Sequence, residues 1–401
     1  MCESMDQDTA KKLLFEGASF VFLGVPQETQ FGINMNCWNT DEDFRGIKMI
    51  PPGLHYIHYS AVNQHTGDVG LRSGFMYNFK KGEMVVRMWD KKAEGISTEV
   101  VSEESIDRLK QNFIHVQKHL APYPFDTANV WKLLTSQITV ELAQKLSPED
   151  GIIRSAVELL SISDKDRPRG KPLVPKAETD LEPSTSNDDT IVEDSSKEQS
   201  QRKRLSHEDK ENAMLPDLKP KPGTSLRFTE ISRNLYPEGS KPHEITKHCL
   251  DQTYTLELIL RKYDDPLHII GEMQFAYICF LIGHSLDAFE QWKAIVGLLC
   301  ACDQAMSNLS YLPLFCQFVK VIEVQIEEMP KDFLADIVAN KNWVYKTMSN
   351  FFRNCYIGKI ESRLMTIVER LKDNLTNNLQ WDFNMMDSED EDERPVIVCL
   401  D

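Results

Sequence analysis

Residues 163–223 contain none of the chain's 19 Phe, 6 Trp and 11 Tyr, and they are rich in Pro, Ser, Asp, Glu and Lys. A stretch of that composition cannot bury enough apolar surface to offset the entropy of ordering it. It reads as a disordered linker, and it parts the chain into an N-terminal domain (1–162), the linker (163–223), a C-terminal domain (224–385) and a tail (386–401). At 401 residues with 41% hydrophobic side chains, each flank is long enough to bury its own core.

The N-terminal part is patterned as β structure. Alternating or β-branched runs fall at 19–25, 46–50, 54–62, 74–79 and 83–89, separated by Val25-Pro26, Pro51-Pro52-Gly53, Thr66-Gly67-Asp68 and Lys80-Lys81-Gly82. Phe75, Tyr77 and Phe79 share one face of a strand, and the Lys-Gly turn that follows predicts a hairpin with 84–89. The period then changes. Ile106, Leu109, Phe113, Val116 and Leu120 recur at helical spacing behind Ser102, predicting one helix that stops before Pro122. Short helices are expected at 128–134 and 139–146.

The C-terminal part reads as all-helical, with helices expected at 242–262, 271–282, 286–301, 313–327, 332–340, 342–354 and 359–379. Pro242, Pro313 and Pro330 sit at or before starts, and Gly283 fits an end. Short connections predict antiparallel packing as a bundle or right-handed stack, and no internal repeat defines a solenoid. The fold class is therefore α+β: a β-rich domain with trailing helices, followed by an all-α domain.

The tail joins an acidic run at 387–393 to Val396, Ile397, Val398, Cys399 and Leu400. A β-branched run at a chain end behind a solvated spacer is suited to adding a strand to another protein's sheet.

Catalytic chemistry finds little support. The sequence lacks a P-loop, a dinucleotide glycine fingerprint and a nucleophile elbow. His243 and His248 are five apart, about 140° from sharing a helical face, so a helix start is the better reading than a metal site. His55 and His58 fall on opposite faces of a strand, and at least one should be half-buried among Tyr56, Ile57 and Tyr59. Cys300 and Cys302 have neither zinc-knuckle nor redox spacing and read as buried, inert thiols. Arg45 and Lys48, beside Pro51-Pro52-Gly53, read as outward cations on a strand rather than an anion site. No cofactor or metal is expected, and the chain reads as non-catalytic.

The nine cysteines form no framework, and the N-terminus resembles no secretory or transit segment, so reduced thiols in a soluble intracellular protein are expected. The stretch around 275–282 is too short to span a bilayer. A net charge of −17 with a pI near 5.1 favours a basic partner over phosphate backbone, so RNA contact is not expected to dominate. Within the linker, Lys203-Arg204-Leu205-Ser206 matches a basophilic kinase site, making Ser206 the candidate phosphosite, and Arg202-Lys203-Arg204 is a weak nuclear-localisation patch.

Longer strings carry a resemblance. They are Phe15-Glu16-Gly17-Ala18, Phe31-Gly32-Ile33 with Trp38, and Phe44-Arg45-Gly46 through Lys48-Met49-Ile50-Pro51-Pro52-Gly53 to His55. In the helical half they continue as Pro237-Glu238-Gly239, Glu244-Ile245-Thr246-Lys247-His248, Gly271-Glu272 with Gln274-Phe275-Ala276, and Ala288-Phe289-Glu290 with Trp292-Lys293. Pro330 with Asp332-Phe333 and Trp381-Asp382-Phe383 complete the series. In these the chain resembles the splicing factors named for a1–alpha2 repression, which assist assembly of the U5 small nuclear ribonucleoprotein. That resemblance implies a β-rich domain plus a helical domain related to the VHS superhelix, and no catalytic residues. It implies binding to pre-mRNA-processing factor 8 through that scaffold's RNase H-like and MPN-like domains, holding off the particle's RNA helicase until maturation. It also implies release by phosphorylation, and residence in cytoplasm and nucleus. The alternative is a membrane-trafficking adaptor, because VHS-like domains occur there too; the acidic balance argues against a membrane-facing patch.

Overall fold

The computed structural model describes residues 13, 16–63, 66–160, 219–231, 236–334, 342–358 and 360–383. The α+β class holds: among the described residues ten strands, the last two set among short helices, form two five-stranded sheets, and the elements from Pro242 onward are all helical.

The strands are β1 (Ala18–Leu23), β2 (Gln30–Ile33), β3 (Asn36–Asn39), β4 (Gly46–Ile50), β5 (Gly53–Ser60), β6 (Ser73–Phe79), β7 (Met84–Asp90), β8 (Gly95–Ile96), β9 (Leu120–Pro122) and β10 (Ile153–Arg154). One sheet has the order β8-β7-β1-β4-β9 and the other β10-β6-β5-β2-β3. They pack face to face over an aromatic core in which Phe22 meets Phe31, Tyr59 and Trp89 at ring distances of 5.7, 6.1 and 5.7 Å. Gly46 at φ +132° lets β4 lie against β1, because a Cβ there would stand 1.9 Å from the Phe20 carbonyl oxygen.

The hairpin expected between Phe75 and Trp89 does not form. β6 pairs with β5 and β10, whereas β7 pairs in parallel with β1, so the turn at 80–82 crosses from one sheet to the other. The cause is burial on both faces of β7. Val85 faces the sandwich core, while Val86 packs with Val21 and Leu120 beneath the helices outside. A strand covered on both faces belongs beside β1 rather than at the end of a two-stranded ribbon.

The single helix expected to reach Leu120 is also shorter. α1 (Glu103–Gln111) ends at Asn112, and α2 (Phe113–Val116) and one 3-10 turn follow. Leu120 and Ala121 instead pair in parallel with Gly46 and Ile47. α1 and α2 still lay Ile106, Leu109, Phe113 and Val116 on the outer face of the sheet, as their period requires. α3 (Ala128–Leu134) and α4 (Val140–Leu146) cover the other sheet.

The helical part comprises α5 (Pro242–Leu250), α6 (Thr253–Leu260), α7 (His268–Leu281), α8 (Leu286–Cys300), α9 (Asp303–Met306), α10 (Leu312–Glu327), α11 (Lys331–Leu334), α12 (Trp343–Ile357) and α13 (Ser362–Leu379). The helix expected at 242–262 is two, because Asp251 accepts from the Thr253 N–H (3.0 Å) and hydroxyl (2.6 Å), restarting the chain as a capped turn. The segment Leu309–Glu327 is by length and composition apolar enough to cross a membrane. Here it forms the middle of the helical core, with Leu314, Phe315, Phe318, Val319 and Ile322 buried.

Residues of 1–156 and 223–401 group as one compact unit, and 157–222 as a second. The described part of the second unit closes on itself through a bridge between Leu159 and Pro220 and a 3.0 Å contact of Lys221 with Glu158. Residues 163–218 of the expected linker lie outside the described residues.

Candidate protein-docking site

Within the larger unit, the sheets and the helices meet along α7. This helix is buried around most of its circumference, including Glu272 and Gln274 at zero exposure. A helix apolar on every side must be covered on every side. One face takes the loop between α3 and α4. Gln274 donates to the Leu133 carbonyl (2.9 Å) and the Ser136 hydroxyl (3.1 Å), and its own oxygen accepts from the Gln137 N–H at 2.8 Å. One turn earlier Gly271 admits that loop, since a Cβ would stand 2.4 Å from the Gln137 carbonyl oxygen. Gly271→Ala is expected to destabilise the unit by about 1–3 kcal/mol through overpacking, read as a lower denaturant midpoint at unchanged slope.

The opposite side of α7 holds residues 224–231. The Glu272 carboxylate accepts from the Thr229 N–H (2.7 Å), the Thr229 hydroxyl (2.8 Å), the Tyr263 hydroxyl (2.5 Å) and the Gln291 amide (2.8 Å). Burial and the Glu272 charge push the Tyr263 phenol well up, so it stays a donor. Arg227 caps the end of α4, donating to the carbonyls of Ser147 (2.6 Å) and Gln144 (2.5 Å). At the far end of the seam Arg72 reaches the Ile282 carbonyl (3.0 Å) and His284 (3.1 Å). The sheets and helices of the larger unit therefore form one preformed platform.

Two concave surfaces lie on that platform. A groove of about 670 Å³ on the helical side is lined by Leu250, Lys293, Asp303, Trp343, Arg353 and Ile357. Burial raises the Asp303 carboxyl, with nearby Asp251 adding to it. A cleft of about 460 Å³ opens at the side of the sandwich, where β3 and β9, the last strands of their sheets, lie beside each other. Its walls are Trp38 on β3 and the segment Pro122, Tyr123, Pro124, Phe125 after β9. The turn between β2 and β3 is pinned to this side. Asn34 at φ +54° donates to the Tyr123 hydroxyl and to His55 Nδ1, each at 2.9 Å, and Asn36 donates to Thr127 at 2.6 Å. Neither β2 nor β3 is signalled by alternation; the sequence signal that could have found them is Asn34-Met35-Asn36 after Phe31-Gly32-Ile33.

Val396, Ile397, Val398, Cys399, Leu400 and Ser206 lie outside the described residues. Both His55 and His58 are buried, on opposite faces of β5, because each face of this sheet is covered. Burial lowers His55 to about 4 and, with Arg72 and His284 adding to it, His58 to about 3. Arg45 donates to the carbonyls of Glu42 and Phe44, and Lys48 to that of Gln117, so both cations are engaged with backbone. His243 and His248 stand on α5, where Glu244 caps the first turn by accepting from the Lys241 N–H at 2.8 Å. Cys300 and Cys302 are buried, and burial pushes both thiols well up. Among the described residues no group of three His, Cys, Asp or Glu side chains converges on a common point.

The strings Gly271-Glu272 with Gln274-Phe275-Ala276 thus make the seam, and Trp381-Asp382-Phe383 closes the helical core against Tyr345 and Phe352. Comparison with known proteins finds the family profile described as AAR2 N-terminal domain over residues 16–148 and that described as AAR2 C-terminal repeat region over residues 228–384. The human Protein AAR2 homolog is 34% identical over 403 residues, covering 99% of this chain and 97% of the relative. The chain belongs to the AAR2 family. The mouse Protein AAR2 homolog matches with the same identity and coverage. The yeast A1 cistron-splicing factor AAR2 is 23% identical over 390 residues, spanning 94% of this chain and 96% of its own. The two AAR2 profiles fall on β1 to β9 with the trailing helices and on the helical part from Phe228 to residue 384, and leave out residues 1–15, 149–227 and 385–401.

Proposed function

We propose that this AAR2-family chain is a non-catalytic assembly factor in pre-mRNA splicing. It acts during U5 ribonucleoprotein biogenesis by gripping the large scaffold protein pre-mRNA-processing factor 8. The observation that carries this reading is co-linear similarity over nearly the whole chain to relatives that include one named a splicing factor. An acidic chain (net charge −17) whose sheets and helices form one preformed unit suits a protein that holds a basic partner. In this reading the partner's RNase H-like and MPN-like domains are bridged, the helicase is held off until maturation, and Val396, Ile397, Val398, Cys399 and Leu400 add a strand to a partner sheet. Phosphate on Ser206 is the release signal, and the protein works in cytoplasm and nucleus.

Size-exclusion co-elution with the two scaffold domains tests this, using the full chain, a chain ending at Met386, and the double variant Val396→Pro and Val398→Pro. A ternary complex is expected with the full chain. Loss of at least about tenfold in affinity is expected with either variant, because Pro removes ladder donors. No complex with the full chain would overturn the partner assignment, and an undiminished complex with both variants would overturn the role of the tail.

A further inference from the structure

The open edge of β3 carries the inference furthest. The Asn34 N–H donates to the Tyr56 carbonyl at 2.7 Å, which fixes the alternation of β2. Gly32 and Gln30 turn their backbone groups toward β5, and Phe31 and Ile33 turn theirs toward β3. Across that pairing Asn36 and Trp38 bond to β2, and Cys37 and Asn39 present their N–H and C=O groups outward. Among the described residues no strand pairs with that edge. Asn36–Asn39 has no Lys, no Pro and no register shift against β2, so its protection is its shortness, four residues, alone. Directly beside it is the aromatic and proline-lined cleft of about 460 Å³.

The charges around the edge select the occupant. Asp41, Glu42 and Asp43 are exposed just past the end of β3, and Asp126 is exposed at the other end of the cleft. Of the basic side chains nearby, Arg45 donates to backbone carbonyls, the His119 ring stands 3.8 Å from Asp43, and Arg72 reaches the Ile282 carbonyl, His284, Gln30 (3.3 Å) and the Cys37 Sγ (4.0 Å) on the face of β3 away from Trp38, so the side of the edge that faces the cleft is bounded by the exposed acids. A ligand strand therefore needs positive charge on both sides of its anchor. The chain's own tail fails this, because its apolar run lies between the acids at 387–393 and Asp401. The linker run Arg202-Lys203-Arg204-Leu205 fails on one side. With Leu205 in the cleft, Glu208 and Asp209 fall about 10–13 Å further on, against one of the acidic ends.

We propose that the β3 edge docks an extended segment of a partner protein, an apolar anchor flanked on both sides by Lys or Arg, which adds a sixth strand and seats its anchor between Trp38 and Phe125. This goes beyond the tail-based reading, and a failed peptide titration leaves the co-elution result where it was.

Fluorescence anisotropy on the full chain tests it, with fluorescein-labelled Gly-Lys-Lys-Val-Thr-Phe-Thr-Val-Lys-Lys and a twin carrying Glu for every Lys. The basic probe is expected to bind and the acidic twin not. Cys37→Pro removes one outward N–H and no bond to β2, and it is expected to weaken binding about tenfold while Cys37→Ser leaves it unchanged. The surface variant Asp41→Asn, Asp43→Asn, Asp126→Asn, which touches no buried group, is expected to weaken binding about tenfold and flatten its salt dependence. Equal binding of the two probes, or undiminished binding to the triple variant, overturns the proposal. So does a gain of about tenfold or more in probe affinity on deleting 196–210 or truncating at Phe383, since an own segment would then be the occupant.

Discussion

Replacing Glu272 with Ala is expected to lower the stability of the sheet-and-helix unit by about 3–5 kcal/mol, the largest single-residue effect outside the aromatic cores. Glu272 has zero exposure and accepts four hydrogen bonds, two of them from Thr229. Truncation leaves the Thr229 N–H without its acceptor and takes the charged acceptor from the Tyr263 hydroxyl and the Gln291 amide, which keep only the Thr229 hydroxyl (3.0 Å) and carbonyl (2.9 Å), beside a cavity on α7. Glu272→Gln keeps one acceptor and the side-chain volume, so it should lose less, about 1–2 kcal/mol. Denaturant unfolding followed by Trp fluorescence checks both. A midpoint for Glu272→Ala within the scatter of the parent protein would mean that residues 224–231 are held by Arg227, Leu226, Phe228, Ile231 and the Gln291 amide without it. The variant should also expose that segment to protease before the helical core, since Phe228 meets Phe275 only edge-on at 6.3 Å.

The sequence revealed local order better than partnership. The periods at 46–50, 54–62 and 74–79 became β4, β5 and β6 nearly residue for residue, because alternation reports which faces are covered. It does not report by what. Val85 and Val86 are both buried, a signature that a strand is covered twice, yet only the fold shows β7 beside β1 instead of β6. β9 could not be read at all. Its three residues are strand because Gly46–Lys48 offers them a ladder, and a helical period runs straight through Leu120. The seam was half legible. Glu272 and Gln274 stood in a string that marked the family, and two polar residues inside an otherwise apolar helix predict buried partners. Two of those partners, Thr229 and Gln137, lie 43 and 137 residues away in sequence, out of reach of any local pattern. For the β3 edge the pattern was misleading in a different way, since Asn36, Cys37, Trp38 and Asn39 are poor strand formers apart from Trp38. They are held by the Asn34 turn and by Trp38 against Phe31 and Phe44.

Acid is expected to unfold this unit at a pH well above that needed to neutralise ordinary carboxylates, and the cause is two buried neutral imidazoles. His58 donates through Nε2 to the Asn34 carbonyl at 3.1 Å, and its Nδ1 is buried without a partner among the described residues. His55 donates through Nε2 to the Pro51 carbonyl at 2.8 Å and accepts from Asn34 at Nδ1. Neither site can accommodate a second ring proton: at His58 it would face the charge of Arg72, and at His55 it would point at the Asn34 amide. Their folded values, about 3 and about 4, lie below the unfolded value near 6.5. The unfolded chain therefore binds these protons first as pH falls. The stabilisation is fully present above about pH 6.5 and drains away on descent towards pH 3, reaching about 5 kcal/mol lost for the pair by pH 4.5. Half-buried Asp303 and exposed Glu327, held above their usual values first by desolvation, pull the other way but act only nearer the carboxylate range. A loss of this size approaches the whole stability of a typical domain. Denaturant midpoints measured at pH 7.5, 6.0 and 5.0 should therefore fall steeply with pH. His58→Gln, which keeps a donor towards Asn34 and cannot titrate, should begin less stable at pH 7.5 and lose roughly half the slope. A parent midpoint that stays level between pH 7.5 and 5.0 would mean that a protonated His58 is tolerated where the sheet meets α7, and would remove the imidazoles from the account of how that seam is held.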